Sequence, residues 1–190
     1  MILIWILGIV LICWIFWIFM DKREGFTNTI LLGDSILQNS NYVKKSVPYL
    51  LSNKCNLTTL AQDGATINDV YRQLDTVPGN LSKSIIFVSA GGNDLINYAH
   101  VNDLIPKYKT LIESIQVKFP NSKIVPLNLY YPPNVQNSNI KLWNNFLGSN
   151  FNIIHIDKIM NTPSDFIYNI EPSESGSNKI AGAILNYILL

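Results

Sequence analysis

Ionisable side chains are scarce in this chain of 190 residues. Charged residues make up 14% of it, and the formal net charge is +1. No basic surplus argues for nucleic acid, and no excess of either sign argues for another strongly charged partner. Cysteine occurs only at Cys13 and Cys55, and Cys13 lies inside an apolar run, so the pair does not read as a disulfide framework. Histidine occurs only at His100 and His155, and no Cys/His spacing suited to a metal is present. Neither a metal nor an organic cofactor is expected. No internal repeat and no long linker divides the chain, whose length suits one domain with a sizeable core.

The first residues lack charge altogether. Ile2 to Met20 is an unbroken apolar run, and about 20 such residues span the hydrocarbon core of a bilayer. A buried soluble helix is rarely apolar on every face. Trp14, Trp17 and Phe19 near one end suit an interfacial aromatic belt, with Trp5 at the other. Asp21-Lys22-Arg23-Glu24 then stops the run. No basic stretch precedes it and no small-x-small site precedes Asp21, so an uncleaved anchor is favoured over a signal peptide. Residues 1–20 are therefore expected to form a single-pass transmembrane anchor with the bilayer as the partner of residues 2–20. Residues 21–27 read as a short linker and 28–190 as the folded domain. Lys22 and Arg23 weigh toward a cytoplasmic domain without fixing the side of the membrane.

Along the domain, Asn28–Leu32, Leu57–Ala61, Ser84–Ser89, Lys123–Leu129 and Phe151–Ile156 read as five strands. Between them, helical spacing runs over Ile36–Leu51, with Pro48 perturbing its later part. Further helices are expected from Thr66 through Leu74 behind a Thr66–Asp69 capping box, and over Leu104–Phe119, Asn139–Leu147 and Ser177–Leu190. The expected buried stripe of the Leu104–Phe119 helix is Leu104, Tyr108, Leu111, Ile115 and Phe119. This alternation predicts an α/β fold: a five-stranded parallel sheet in a three-layer, flavodoxin-like arrangement. Ligands of such a sheet bind beyond the C-terminal ends of its strands, where the Gly-rich turns after the first and third runs fall.

Gly33-Asp34-Ser35 occupies a strand-to-helix turn. A serine there projects its hydroxyl above the sheet, and nearby N–H groups can hold a developing oxyanion. Taken alone, Asp and Ser at such a place are ordinary helix caps. Gln62-Asp63-Gly64-Ala65-Thr66 and Gly91-Gly92-Asn93-Asp94 follow the second and third runs. Singly, Gly64 reads as a turn glycine, Asn93 as an Asx-turn residue and Asp94 as a cap. Together and in this order, the three blocks resemble those of the SGNH (GDSL-type) hydrolases, and the resemblance extends over Thr29 to Leu190. It implies Ser35 as nucleophile and an oxyanion hole made by the Ser35 and Gly64 N–H groups with the Asn93 side chain.

The last block departs from the family pattern. Glu171-Pro172-Ser173-Glu174-Ser175-Gly176 stands where the family carries Asp-x-x-His-Pro. Glu171 takes the place of the histidine base and Tyr168 that of the aspartate. A carboxylate near its ordinary pKa of about 4.3 is a weaker base than an imidazole at about 6.5, although burial can raise it. His155 within the fifth run, His100 after the third block, and Asp165 read first as structural residues. Two functions stay open. One is a membrane-anchored serine hydrolase acting on a small ester, an acetylated carbohydrate or a lipid, with Ser35 as nucleophile and Glu171 as base. The other is an inactive SGNH-fold binding or structural membrane protein.

Overall fold

A computed structural model describes residues 28–79, 81, 83–133 and 138–189. The expected anchor and linker lie outside these residues, and among the described residues no helix is long and apolar enough to cross a membrane.

Strand β1 (Asn28–Gly33) lies between β2 (Leu57–Thr59) and β3 (Ser84–Ser89), and β4 (Lys123–Pro126) flanks β3. All pairs are parallel, in the order β2-β1-β3-β4. Ile30–Leu32 and all of β3 are buried, as expected of strands covered on both faces. The sheet has four strands rather than five. The Phe151–Ile156 run contributes a single bridge, Leu127 to Ile154, beside β4. Its pairing stops because His155 already caps the short helix that starts at Ile156.

In chain order the helices are α1 (Val47–Ser52), α2 (Ile67–Thr76), α3 (Gly92–Ile96), α4 (Val101–Lys118), α5 (Ser138–Asn150), α6 (Ile156–Ile159) and α7 (Glu174–Leu189). Five helices among the described residues fall at expected positions with shifted ends, and two short ones, α3 and α6, were not expected. The Thr66–Asp69 capping box opens α2 with both reciprocal bonds in place. Every residue of the expected stripe of α4 is buried. The helix expected over Ile36–Leu51 is reduced to α1. Residues after Ser35 form a single turn in which Leu37 N and Gln38 N donate to Asp34 O, both at 3.0 Å. Tertiary bonds from Asn39 replace helix propagation there. Its side-chain oxygen accepts from Val47 N (3.0 Å), and its Nδ2 donates to Pro172 O (3.1 Å) and to Ser177 Oγ (2.5 Å).

After α6, a 3-10 turn (Pro163–Asp165) leads into a two-stranded antiparallel hairpin, β5 (Phe166–Ile167) and β6 (Glu171–Pro172). Its tip places Tyr168 and Asn169 at positive φ, 53° and 63°.

Candidate active site

The C-terminal end of β1 is held from two sides. Gln73 of α2, itself buried, accepts from Gly33 N (2.7 Å) and donates to Gly33 O (2.8 Å). Gly33 has φ 149°, and a Cβ there would run into the carbonyl oxygen of Ser89 on β3, so the close approach requires glycine. Asp34 is buried beneath the turn, where Ser89 Oγ donates to its carboxyl and Ile36 N donates at 3.1 Å. Burial pushes the Asp34 carboxyl up to about 7 against the lowering effect of those two donors. Ser35 thus sits on a rigid turn. A single turn carries little macrodipole, so local N–H groups are what can meet an anion here.

Gly64 adopts φ 74° with open space where a side chain would stand, the turn conformation its sequence context suggested. Asn93 at the start of α3 donates from Nδ2 to Ala65 O (3.0 Å), which ties the third block to the second. Asp94 reaches across as well. It accepts from Ile67 N (3.0 Å) and caps α2 rather than its own helix. Among the described residues, neither Ser35 N nor Gly64 N donates to a protein acceptor. Both are free to meet an external oxygen.

Glu171 comes to this place on the β5–β6 hairpin. Its carboxyl lies near the Ser35 hydroxyl on the wall of the same pocket, and its Oε2 is buried with no hydrogen-bond partner. Burial raises its pKa, the Ser35 hydroxyl lowers it, and the neighbouring Asp63 carboxylate raises it further. Asp63 is fixed by Asn41 Nδ2 at 2.6 Å, so the stretch from Asn39 to Asn41 grips both the second block and the Glu171 hairpin. Tyr168 stands exposed at the hairpin tip, its ring edge-on to Tyr42 at 6.4 Å.

The alternative bases lie elsewhere. His100 is an exposed residue preceding α4. His155 joins Asn128 (3.4 Å) and Asp157 (3.6 Å) at the far edge of the sheet. Asp165 is buried in a structural network with Lys179. Among the described residues, no group of His, Cys, Asp and Glu is arranged to hold a metal.

Ser35, Asn93 and Glu171 open into one pocket of about 460 Å³, whose remaining wall is mostly apolar. Three supporting residues went unnoticed in the sequence: Gln73, Asn39 and Ser89. Gln73 left a trace, since it shares the apolar face of α2 with Ile67, Val70 and Leu74, where a polar residue needs a buried partner.

The chain is similar in fold to several solved esterases. The psychrotrophic esterase EstA from Pseudoalteromonas sp. matches with a TM-score of 0.71 at 16% identity, over 86% of this chain and 97% of that one. The acetyl xylan esterase AlAXEase matches at 0.69 and 16%, over 84% and 98%. The lipase/acylhydrolase from Enterococcus faecalis matches at 0.66 and 17%, over 85% and 94%. No curated protein matches the chain by sequence. The model of the GDSL-like Lipase/Acylhydrolase family matches residues 31–148, which run from within β1 through most of α5. By that match and the geometry it encloses, the chain belongs to the GDSL-like lipase/acylhydrolase family.

Proposed function

We propose that this protein is a serine esterase acting through Ser35, with Glu171 in place of the usual histidine, held to a membrane by residues 2–20. The observation that carries the reading is that Ser35, Asn93 and Glu171 line one pocket, with one buried Glu171 oxygen lacking a partner. Ser35 Oγ attacks the carbonyl carbon of an ester or O-acetyl group while Glu171 takes the hydroxyl proton. The Ser35 and Gly64 N–H groups and the Asn93 amide hold the resulting oxyanion. Collapse of the intermediate expels the alcohol, which receives the proton from Glu171. Water then releases the acid from Ser35 by the same steps in reverse.

An ordinary glutamate falls roughly two pKa units short of imidazole, about 3 kcal/mol in proton affinity. Burial and the Asp63 charge act to narrow that gap. A binding-only protein is the second reading, favoured by the absence of histidine from the pocket wall. A serine-directed fluorophosphonate separates the two. The esterase reading expects labelling of wild type and none of Ser35→Ala; an unlabelled wild type supports the binding protein. Alkaline carbonate extraction tests the anchor, which predicts that the full chain stays with the membrane pellet.

A further inference from the structure

We propose that Lys54, Lys83, Lys118 and Lys123 form a basic face that rests on anionic lipid headgroups and holds the Ser35 pocket turned away from the membrane. The proposal rests on the anchor reading above and adds an orientation to it. The four parallel strands start level with one another, since Asn28 pairs with Ser84, Thr29 with Leu57 and Ile85 with Lys123. The lysines gather at that end. Lys83 directly precedes β3, Lys123 opens β4, Lys54 lies between α1 and β2, and Lys118 ends α4. All four are exposed. Lys118 Nζ donates to Leu74 O at 2.6 Å, and Lys123 Nζ lies over the Tyr187 ring at 4.5 Å. Among the described residues, none of the four pairs with a carboxylate. Asp75 and Glu113 flank Lys118 in a shallow groove between α2 and α4, so four lysines meet two acids and the face keeps a positive excess.

The occupant follows from the length of chain ahead of β1. That strand begins at the same end, at Asn28, and residues 21–27 separate it from Met20. Such a segment reaches at most about 25 Å when fully extended. With residues 2–20 in a bilayer, the nearest large surface to the lysines is that bilayer. Juxtamembrane lysines are drawn to anionic lipid, which is enriched in the cytoplasmic leaflet, the side toward which Lys22 and Arg23 weigh. The opposite end of the sheet has the other character. The pocket wall there carries Asp34 and Glu171, and among the described residues no Lys, Arg or His lines it. Strand β1 runs from Asn28 to Gly33, which sets Ser35 about 20 Å from the basic end at ~3.3 Å per residue. A docked domain therefore presents its pocket to the aqueous phase and draws its ester from there rather than from the leaflet beneath it.

The test reconstitutes the full chain, carrying Cys13→Ser and Cys55→Ser, in vesicles of phosphatidylcholine with or without phosphatidylserine. A fluorophore is attached to one introduced thiol, either Asn121→Cys in the exposed turn between α4 and β4 or Tyr98→Cys on the pocket rim. A nitroxide on the lipid headgroups quenches it. With phosphatidylserine, the dye at position 121 should be quenched and the dye at position 98 spared. Each lysine close to an anionic surface is worth about fivefold in binding. Lys54→Glu, Lys83→Glu and Lys123→Glu together should therefore cut the docked-to-undocked ratio at least about 100-fold and make the two positions alike. Lys107→Glu, Lys109→Glu and Lys141→Glu, the same charge change on α4 and α5, should leave the contrast in place. The unaltered face should lose the contrast in phosphatidylcholine alone and at high salt, a result that does not depend on the folding of any lysine variant. Equal quenching at the two positions with phosphatidylserine, stronger quenching at position 98, or a contrast that survives in phosphatidylcholine alone or in the face variant overturns the proposal. Flotation with phosphatidylcholine vesicles at high salt reads the anchor separately. A chain that fails to float there, yet floats on phosphatidylserine vesicles through these lysines, upholds the basic face and removes the anchor reading instead.

Discussion

Asp165 offers the sharpest test of how Glu171 is held in place. Its side chain is inaccessible to solvent and accepts from five donors. These are Asn161 N (3.0 Å), Thr162 N (2.9 Å), Thr162 Oγ1 (2.9 Å), Ser175 Oγ (3.0 Å) and Lys179 Nζ (2.7 Å). Its own carbonyl accepts from Ser173 N at 2.9 Å, two residues beyond Glu171. Burial alone would raise the carboxyl, but Lys179 and the hydrogen bonds outweigh it and hold the pKa at about 2, below the ordinary 3.8. A depression of roughly two units stabilises the fold by about 2–3 kcal/mol. Because the folded pKa is the lower one, that stability is present above pH ~4 and is lost as pH falls toward ~2.

Asp165→Asn removes the charge and turns an NH2 group toward donors. It is expected to cost about 2–4 kcal/mol at pH 7. In urea, at a slope of about 2 kcal/mol/M, the unfolding midpoint should fall by about 1–2 M. Repeating the titration at pH 5 and pH 3 should leave the difference unchanged at the first and smaller at the second. A loss under about 0.5 kcal/mol at pH 7, or a loss equally large at pH 3, would refute the assignment.

Two further expectations concern the nucleophile and the base. Gln73→Leu leaves the buried Gly33 N–H without its acceptor and should cost about 2–3 kcal/mol, measured by urea unfolding, with a larger proportional fall in kcat than in 1/KM. The raised pKa of Glu171 predicts that kcat/KM for a p-nitrophenyl ester rises with pH through a midpoint above the ordinary glutamate value of about 4.3. Glu171→Gln should remove most of the activity at every pH while leaving fluorophosphonate labelling slow but detectable; undiminished hydrolysis would exclude Glu171 as the base.

Much of the architecture was legible because local and tertiary preferences agree. Ser84–Ser89 was read at its observed bounds, since a six-residue run buried on both faces has little else to become. The capping box of α2 and the buried stripe of α4 were legible for the same reason. Phe151–Ile156 misled because an apolar run is the same whether it pairs along its length or touches the sheet once. The Ile36–Leu51 helix was displaced by Asn39, whose partners near residue 172 cannot be inferred from helical spacing. The β5–β6 hairpin gave no warning, because its tip places a tyrosine where glycine is the usual left-handed residue. In the site, the glycines and Asn93 announced themselves through motif order. Gln73 and Ser89 act through contacts 40 and 55 residues away in sequence.

The bonds made by Asn39 also have a temporal meaning. Its partners, Pro172 and Ser177, lie 133 and 138 residues further along the chain. During N-to-C synthesis the four strands can pair, and Ser35 can take its place on the turn, long before those partners exist. Only their arrival supplies the bonds that draw the Glu171 hairpin toward Ser35. The nascent protein thus holds Ser35 on its turn with no Glu171 beside it. The proposed site closes in one of the last and longest-range steps of folding.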